Sequence, residues 1–61
     1  MKVKIKSYND ELVGYLTEGK EYSLSDFSGH GGVILDDIGY EIYILLEECA
    51  HLNGGSWEIV E

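Results

Sequence analysis

Residues 1–6 read Met-Lys-Val-Lys-Ile-Lys, an alternation of lysine with apolar side chains. Because successive side chains of a β-strand point to opposite faces, Val3 and Ile5 share one face and the lysines share the other. This pattern predicts a first strand with one buried face.

A long loop and a second strand are predicted to follow. Residues 7–19 are rich in Asn, Asp and Gly, which favour turns over helix. We therefore expect a partly extended loop in this segment. Residues 20–24 alternate again, and we predict a second strand in which Tyr22 and Leu24 face inward.

The third and fourth strands are predicted to form a hairpin. Residues 29–32 read Gly-His-Gly-Gly and predict a flexible loop, after which residues 33–35 supply a short run of Val, Ile and Leu. Asp-Asp-Ile-Gly at 36–39 is typical of a hairpin turn closed by glycine. Residues 40–46 then form the fourth strand. Its two faces differ: Ile42 and Ile44 on one, and Glu41, Tyr43 and Leu45 on the other.

The end of the chain predicts one helical turn and a last strand. Residues 47–52 are too few for a stable isolated helix but suit a single turn, ended by Asn-Gly-Gly at 53–55. Residues 56–60 form the fifth strand, with Trp57 and Ile59 expected to face the core. The chain is therefore predicted to be one all-β domain spanning residues 1–61.

This order of elements resembles an SH3-like small barrel. The segment Leu-Thr-Glu-Gly-Lys-Glu-Tyr-Ser-Leu at 16–24 leads into the predicted second strand and resembles the corresponding segment of such barrels. Ile-Leu-Asp-Asp-Ile-Gly at 34–39, followed by Trp-Glu-Ile-Val at 57–60, resembles small SH3-like proteins encoded by bacteriophages and prophages, most of them without an assigned activity. The resemblance implies a five-stranded SH3-like barrel with one helical turn before the last strand.

Two motifs of peptide-binding SH3 domains are missing from the chain. Those domains carry a Trp at the start of the third strand and Pro-x-x-Tyr in the helical turn. This chain has Gly32 and Val33 at the first place and Leu-Leu-Glu-Glu at 45–48 at the second. The aromatic groove that holds a proline-rich ligand thus lacks two walls, and we expect no such ligand.

The charge balance restricts the partners. Twelve acidic residues face four basic ones, for a net charge of −8, and residues 7–61 hold one lysine against all twelve acids. Such a surface repels nucleic acid and anionic membranes, so we expect no direct binding to either.

The apolar run at 42–46 is too short to cross a bilayer. Cys49 is the only cysteine, so no internal disulfide is expected, and we predict a cytoplasmic protein.

The chemically reactive residues do not form a recognisable catalytic or metal site. Cys49 and His51 are two residues apart and would point away from each other on a helical turn. We expect Cys49 to be a buried structural residue and His51 to be exposed. Zinc would need a fourth ligand beyond these two and His30. We therefore predict no enzymatic activity, no metal and no cofactor.

Two kinds of function remain open. In the first, the domain is a protein-interaction module, because Tyr is favoured at interfaces. Its candidate binding residues are Tyr8, Tyr15, Glu41 and Tyr43. In the second, the carboxylates imitate the phosphates of DNA and block a nucleic-acid-handling or defence protein. The candidate residues for this mimicry are Asp36, Asp37, Glu47 and Glu48, although the first two are most simply a turn pair. Exposed strand edges also leave pairing with a second copy of the chain open.

Overall fold

The computed structural model describes all residues 1–61 and confirms that the protein is an all-β domain. No helix in it is long and apolar enough to cross a membrane. One 3₁₀ helix, Ala50–Leu52, precedes the last strand, as predicted. The five strands are β1 (Lys2–Ser7), β2 (Tyr22–Ser23), β3 (Gly31–Leu35), β4 (Glu41–Leu45) and β5 (Ser56–Ile59).

The strands form two small antiparallel sheets. One has the order β2-β1-β5, and the other is the β3-β4 hairpin. The two sheets are joined where Ser25 and Val33 exchange backbone hydrogen bonds of 2.9 and 2.8 Å, and where the Trp57 amide donates to the Leu46 carbonyl at 2.8 Å. Because β2 is only two residues long and these links are isolated, the strands do not form the closed five-stranded barrel that we expected.

The core lies between the two sheets and contains ten buried hydrophobic residues. The alternation in β1 is confirmed, because Val3 is fully buried and Ile5 nearly so. Tyr22 and Leu24 are also buried, as predicted. The remaining members of the core are Leu16, Ile34, Ile44, Cys49, Leu52 and Trp57.

The prediction of a flexible loop at residues 29–32 is wrong for its second half. Gly31 and Gly32 are the first two residues of β3, and both are buried. A Cβ atom on Gly31 would collide with the backbone carbonyl of Ile44 in the neighbouring strand. Glycine is therefore needed here for a close approach of two strands, not for a turn.

The prediction for Ile59 is also wrong. Its neighbour Trp57 is buried as expected, but Ile59 is 44% exposed. Its partner Val3 lies on the central strand β1 and is fully buried, whereas Ile59 is the last residue of β5, an edge strand with no neighbour on its other side. The alternation therefore predicted correctly that Ile59 lies on the same face of the sheet as Val3, but not how far its side chain is buried.

Candidate functional site

One face of the β3-β4 hairpin is left uncovered by the fold. Val33 lies opposite Tyr43, and Leu35 lies opposite Glu41, in the antiparallel ladder. Residues opposite each other in such a ladder project from the same face. The inner face contributes Ile34 and Ile44 to the core. We define the outer face as Val33, Leu35, Glu41, Tyr43 and Leu45.

The outer face exposes large apolar side chains. Leu35 is 57% exposed, Tyr43 51% and Leu45 39%. The hydroxyl of Tyr43 is 3.2 Å from Ser28 Oγ, so the loop before β3 holds the ring in place. Phe27, in the same loop, is also exposed. The result is an apolar surface on regular, hydrogen-bonded strands.

The predicted binding residues are divided between two environments. Glu41 and Tyr43 lie together on the outer face, where both are exposed. Tyr8 and Tyr15 are instead half-buried and packed against the core. Sequence reasoning missed Val33 and Leu35 as members of the surface. The alternation at 33–35 indicates that Val33 and Leu35 share a face, but only the register of the hairpin shows that this face also carries Tyr43.

Tyr15 and His51 form a contact that the sequence did not reveal. The hydroxyl of Tyr15 lies 2.8 Å from His51 Nδ1, and the two rings meet edge to face with centroids 5.8 Å apart. His51 is therefore half-buried, and the prediction that it would be exposed is wrong. The contact attaches the long loop after β1 to the 3₁₀ helix.

Asp36 stabilises the hairpin turn. Its side chain is buried, and Oδ1 accepts hydrogen bonds of 2.9 Å from the backbone amides of Ile38, Gly39 and Tyr40. This is the capping role predicted for an Asp in a turn. A carboxylate turned inward in this way cannot present its charge to a partner.

Asp37 is the centre of a polar network that joins the hairpin turn to the loop before β2. Its carboxylate accepts hydrogen bonds from Thr17 Oγ1 at 2.6 Å, Lys20 Nζ at 2.8 Å and the Tyr22 hydroxyl at 2.8 Å. These donors, with Lys20 contributing most, lower the pKa of Asp37 to about 2. The same bond to Asp37 raises the pKa of Lys20. Burial raises the pKa of Tyr22.

Glu47 and Glu48 line an open cleft beside the outer face. The cleft has a volume of about 500 Å³. Both carboxylates are exposed, and neither takes part in an ion pair. The lining residues are Gly29, His30, Leu45, Leu46, Glu47, Glu48 and Trp57.

The remaining reactive residues do not converge. Cys49 is a free thiol that is 1% exposed, consistent with a structural role. No group of three or more His, Cys, Asp or Glu side chains is arranged to hold a metal ion.

The chain matches no protein-family model, no curated protein and no solved structure.

Proposed function

We propose that the protein is a non-enzymatic interaction module that docks on a partner protein through its outer face. The observation that carries the proposal is the exposure of Leu35, Tyr43 and Leu45 on one side of a regular hairpin. Exposed apolar residues that form a contiguous patch mark interaction sites more often than scattered ones do.

The energetics of this face suit protein binding. Buried apolar surface contributes about 25 cal/mol per Å², and a tyrosine supplies a large area with few rotatable bonds. The strands that carry the outer face are hydrogen bonded to each other, and Val33 is also hydrogen bonded to the backbone of Ser25, so binding would order little backbone. Glu41 at the edge and the net charge of −8 favour a partner whose apolar patch is bordered by basic residues.

We assign the module to the SH3-like small-barrel type, and we propose that it is a phage or prophage accessory protein. The SH3-like assignment is supported by the pairing of β5 with β1 and by the 3₁₀ helix that directly precedes β5. The proposed origin is supported by the resemblance at residues 34–39 and 57–60. The partner would be a host or phage protein.

DNA mimicry is the less favoured function. Asp36 is turned into its own hairpin, and Asp37 is neutralised by Lys20. Only Glu47 and Glu48 of the four candidate residues are free to present charge. Two adjacent carboxylates do not reproduce a ladder of phosphates.

Affinity capture with a salt series tests the proposal. The tagged protein would be exposed to a bacterial lysate and eluted from about 0.05 to 0.5 M salt, a range that spans weak and strong screening. We expect a partner that stays bound at high salt, because apolar contact is not screened. Release of a nucleic-acid-handling protein at low salt would instead support mimicry.

A further inference from the structure

One side of β4 is the longest unpaired strand edge of the fold. β4 has five residues and pairs only with β3. We call the side of β4 that faces away from β3 its outer edge. The other strands offer less: β2 has only two residues, and the Trp57 amide on the outer side of β5 already donates to the Leu46 carbonyl.

The hydrogen-bond pattern identifies the free groups of this edge. Opposite residues of an antiparallel ladder alternate between bonded and non-bonded pairs. Val33 uses its amide and carbonyl for Ser25, so its pair with Tyr43 is non-bonded. The same holds two residues away on either side. The N–H and C=O groups of Glu41, Tyr43 and Leu45 therefore point away from β3, and no other segment of the chain pairs with them.

β4 has few of the features that keep an edge strand from pairing. Such strands are commonly protected by proline, lysine, a β-bulge or very short length. The chain contains no proline, β4 contains no lysine, and its register with β3 is unbroken over all five residues. Glu41 is its only charged residue, at one end of the strand. The outer edge is therefore able to accept a further strand.

We propose that the outer edge of β4 pairs with the same edge of a second copy of the chain. The two strands are antiparallel, and the two-fold axis passes between the two Tyr43 residues. Tyr43 then lies opposite Tyr43, and Glu41 lies opposite Leu45 in both directions. These are bonded pairs, so every free amide and carbonyl of one edge meets its counterpart on the other.

Charge and length favour this register over its neighbours. A shift of two residues in one direction places Glu41 opposite Glu47 of the second copy, and like charges directly opposite are destabilising. The opposite shift places Leu45 beside Gly39 in the hairpin turn. With Tyr43 at the centre, the two Glu41 residues are four residues apart along the ladder, which is about 14 Å. That distance exceeds the screening length of about 8 Å at physiological salt.

A second copy suits the edge because its own edge has the same length and the same free groups, already held in a strand. Little backbone would be ordered on pairing. Paired residues project from one face, so Tyr43 and Leu45 of both copies would form one continuous apolar surface. The inference goes beyond the proposed function, because it uses backbone groups and leaves the side chains of the outer face available to a partner.

Sedimentation equilibrium of the purified chain tests the pairing. The range would run from about 10 µM to about 1 mM, because an interface this short is expected to be weak, with a Kd of roughly 100 µM in 0.5 M salt. Each copy carries a net charge of −8, so repulsion should weaken the dimer at least about threefold at 0.05 M salt. A chain that stays monomeric up to about 1 mM in 0.5 M salt would overturn the proposal.

Two variants of Tyr43 separate the backbone from the side chain. Tyr43→Pro removes the unpaired amide, and proline is tolerated on an edge strand where the N–H faces solvent. Tyr43→Ala is the matched control, because it removes the same ring and keeps the amide. We expect the dimer of Tyr43→Pro to be at least about tenfold weaker than that of Tyr43→Ala. Equal association of the two variants, both shown to be folded by thermal unfolding, would contradict pairing through this edge.

An isotope measurement on the unmodified chain tests the register and needs no variant. In an equal mixture of ¹³C-labelled and unlabelled protein, a filtered NOE experiment detects only contacts between copies. We expect a contact between the Hα atoms of Ile42 and Ile44, which form a non-bonded pair across the two-fold axis. A dimer without it would overturn the proposal. No partner protein is present in these measurements, so failure of edge pairing and failure of outer-face docking give different results.

Discussion

The Tyr22 hydroxyl donates a 2.8 Å hydrogen bond to the Asp37 carboxylate and so joins β2 to the turn of the β3-β4 hairpin. The same hydroxyl accepts a 2.8 Å hydrogen bond from the Thr17 amide. The ring of Tyr22 packs edge to face on Trp57, with centroids 5.7 Å apart. One tyrosine thus connects the core, the long loop and the hairpin that carries the outer face.

We expect Asp37→Asn to destabilise the protein at neutral pH but not in strong acid. The folded state lowers the pKa of Asp37 from 3.8 to about 2. A lowered pKa stabilises the fold above about pH 4, and this contribution is lost as the pH falls towards 2. Thermal unfolding of the unmodified protein and of Asp37→Asn at several pH values measures this contribution. The difference in Tm between the two should shrink from about pH 4 to pH 2.

Asp26→Asn is the matched control, because Asp26 is exposed and its carboxylate accepts no hydrogen bond. Its Tm should differ little from that of the unmodified protein at every pH. A difference for Asp37→Asn that stays constant down to pH 2 would contradict the role given to its carboxylate.

Two substitutions of Asp36 separate the contribution of its hydrogen bonds from that of its charge. Asp36→Asn keeps an oxygen at the Oδ1 position and should change stability little. Asp36→Ala leaves the amides of Ile38 and Tyr40 without their acceptor, while the Gly39 amide keeps its bond to the backbone carbonyl of residue 36. We expect it to lower the free energy of unfolding by about 2 kcal/mol. Urea unfolding measures both. Equal losses in the two variants would show that the charge of Asp36, not its hydrogen bonds, stabilises the turn.

The close approach of Gly31 to β4 predicts a position-specific cost of adding one methyl group. In Gly31→Ala the new Cβ would meet the backbone carbonyl of Ile44, which cannot move without breaking the ladder. We expect a loss of about 1–3 kcal/mol in the free energy of unfolding. Gly14→Ala is the control, since its Cβ would have no neighbour within 4 Å. A Gly31→Ala protein as stable as the control would contradict the assignment of Gly31 to β3.

The parts of the fold that depend on local patterns were predictable. The alternation in β1 identified Val3 and Ile5 as core residues, and Asp-Asp-Ile-Gly identified the hairpin turn. The prediction for Gly31 was wrong because glycine in a sequence usually indicates a turn. Here glycine is required because a Cβ atom would collide with the carbonyl of Ile44, thirteen residues away. No local pattern contains that information.

The candidate sites were predictable only in part for the same reason. Alternation placed Tyr43 and Glu41 on one face, but the membership of Leu35 depends on its partner across the ladder. Trp57 was expected in the core, and its unpaired Nε1 could not be inferred, because it depends on which acceptors distant segments bring near. The network around Asp37 joins residues up to 20 positions apart.

Binding of a protein partner to the outer face is tested by measuring how one substitution changes the affinity for the partner that is retained at high salt. Tyr43→Ser would be compared with Tyr40→Ser, which removes a more exposed tyrosine from outside the outer face. Loss of a central interface tyrosine costs about 2 kcal/mol or more, so we expect at least about 30-fold weaker binding for Tyr43→Ser and little change for Tyr40→Ser. Equal affinities for both folded variants would contradict the claim.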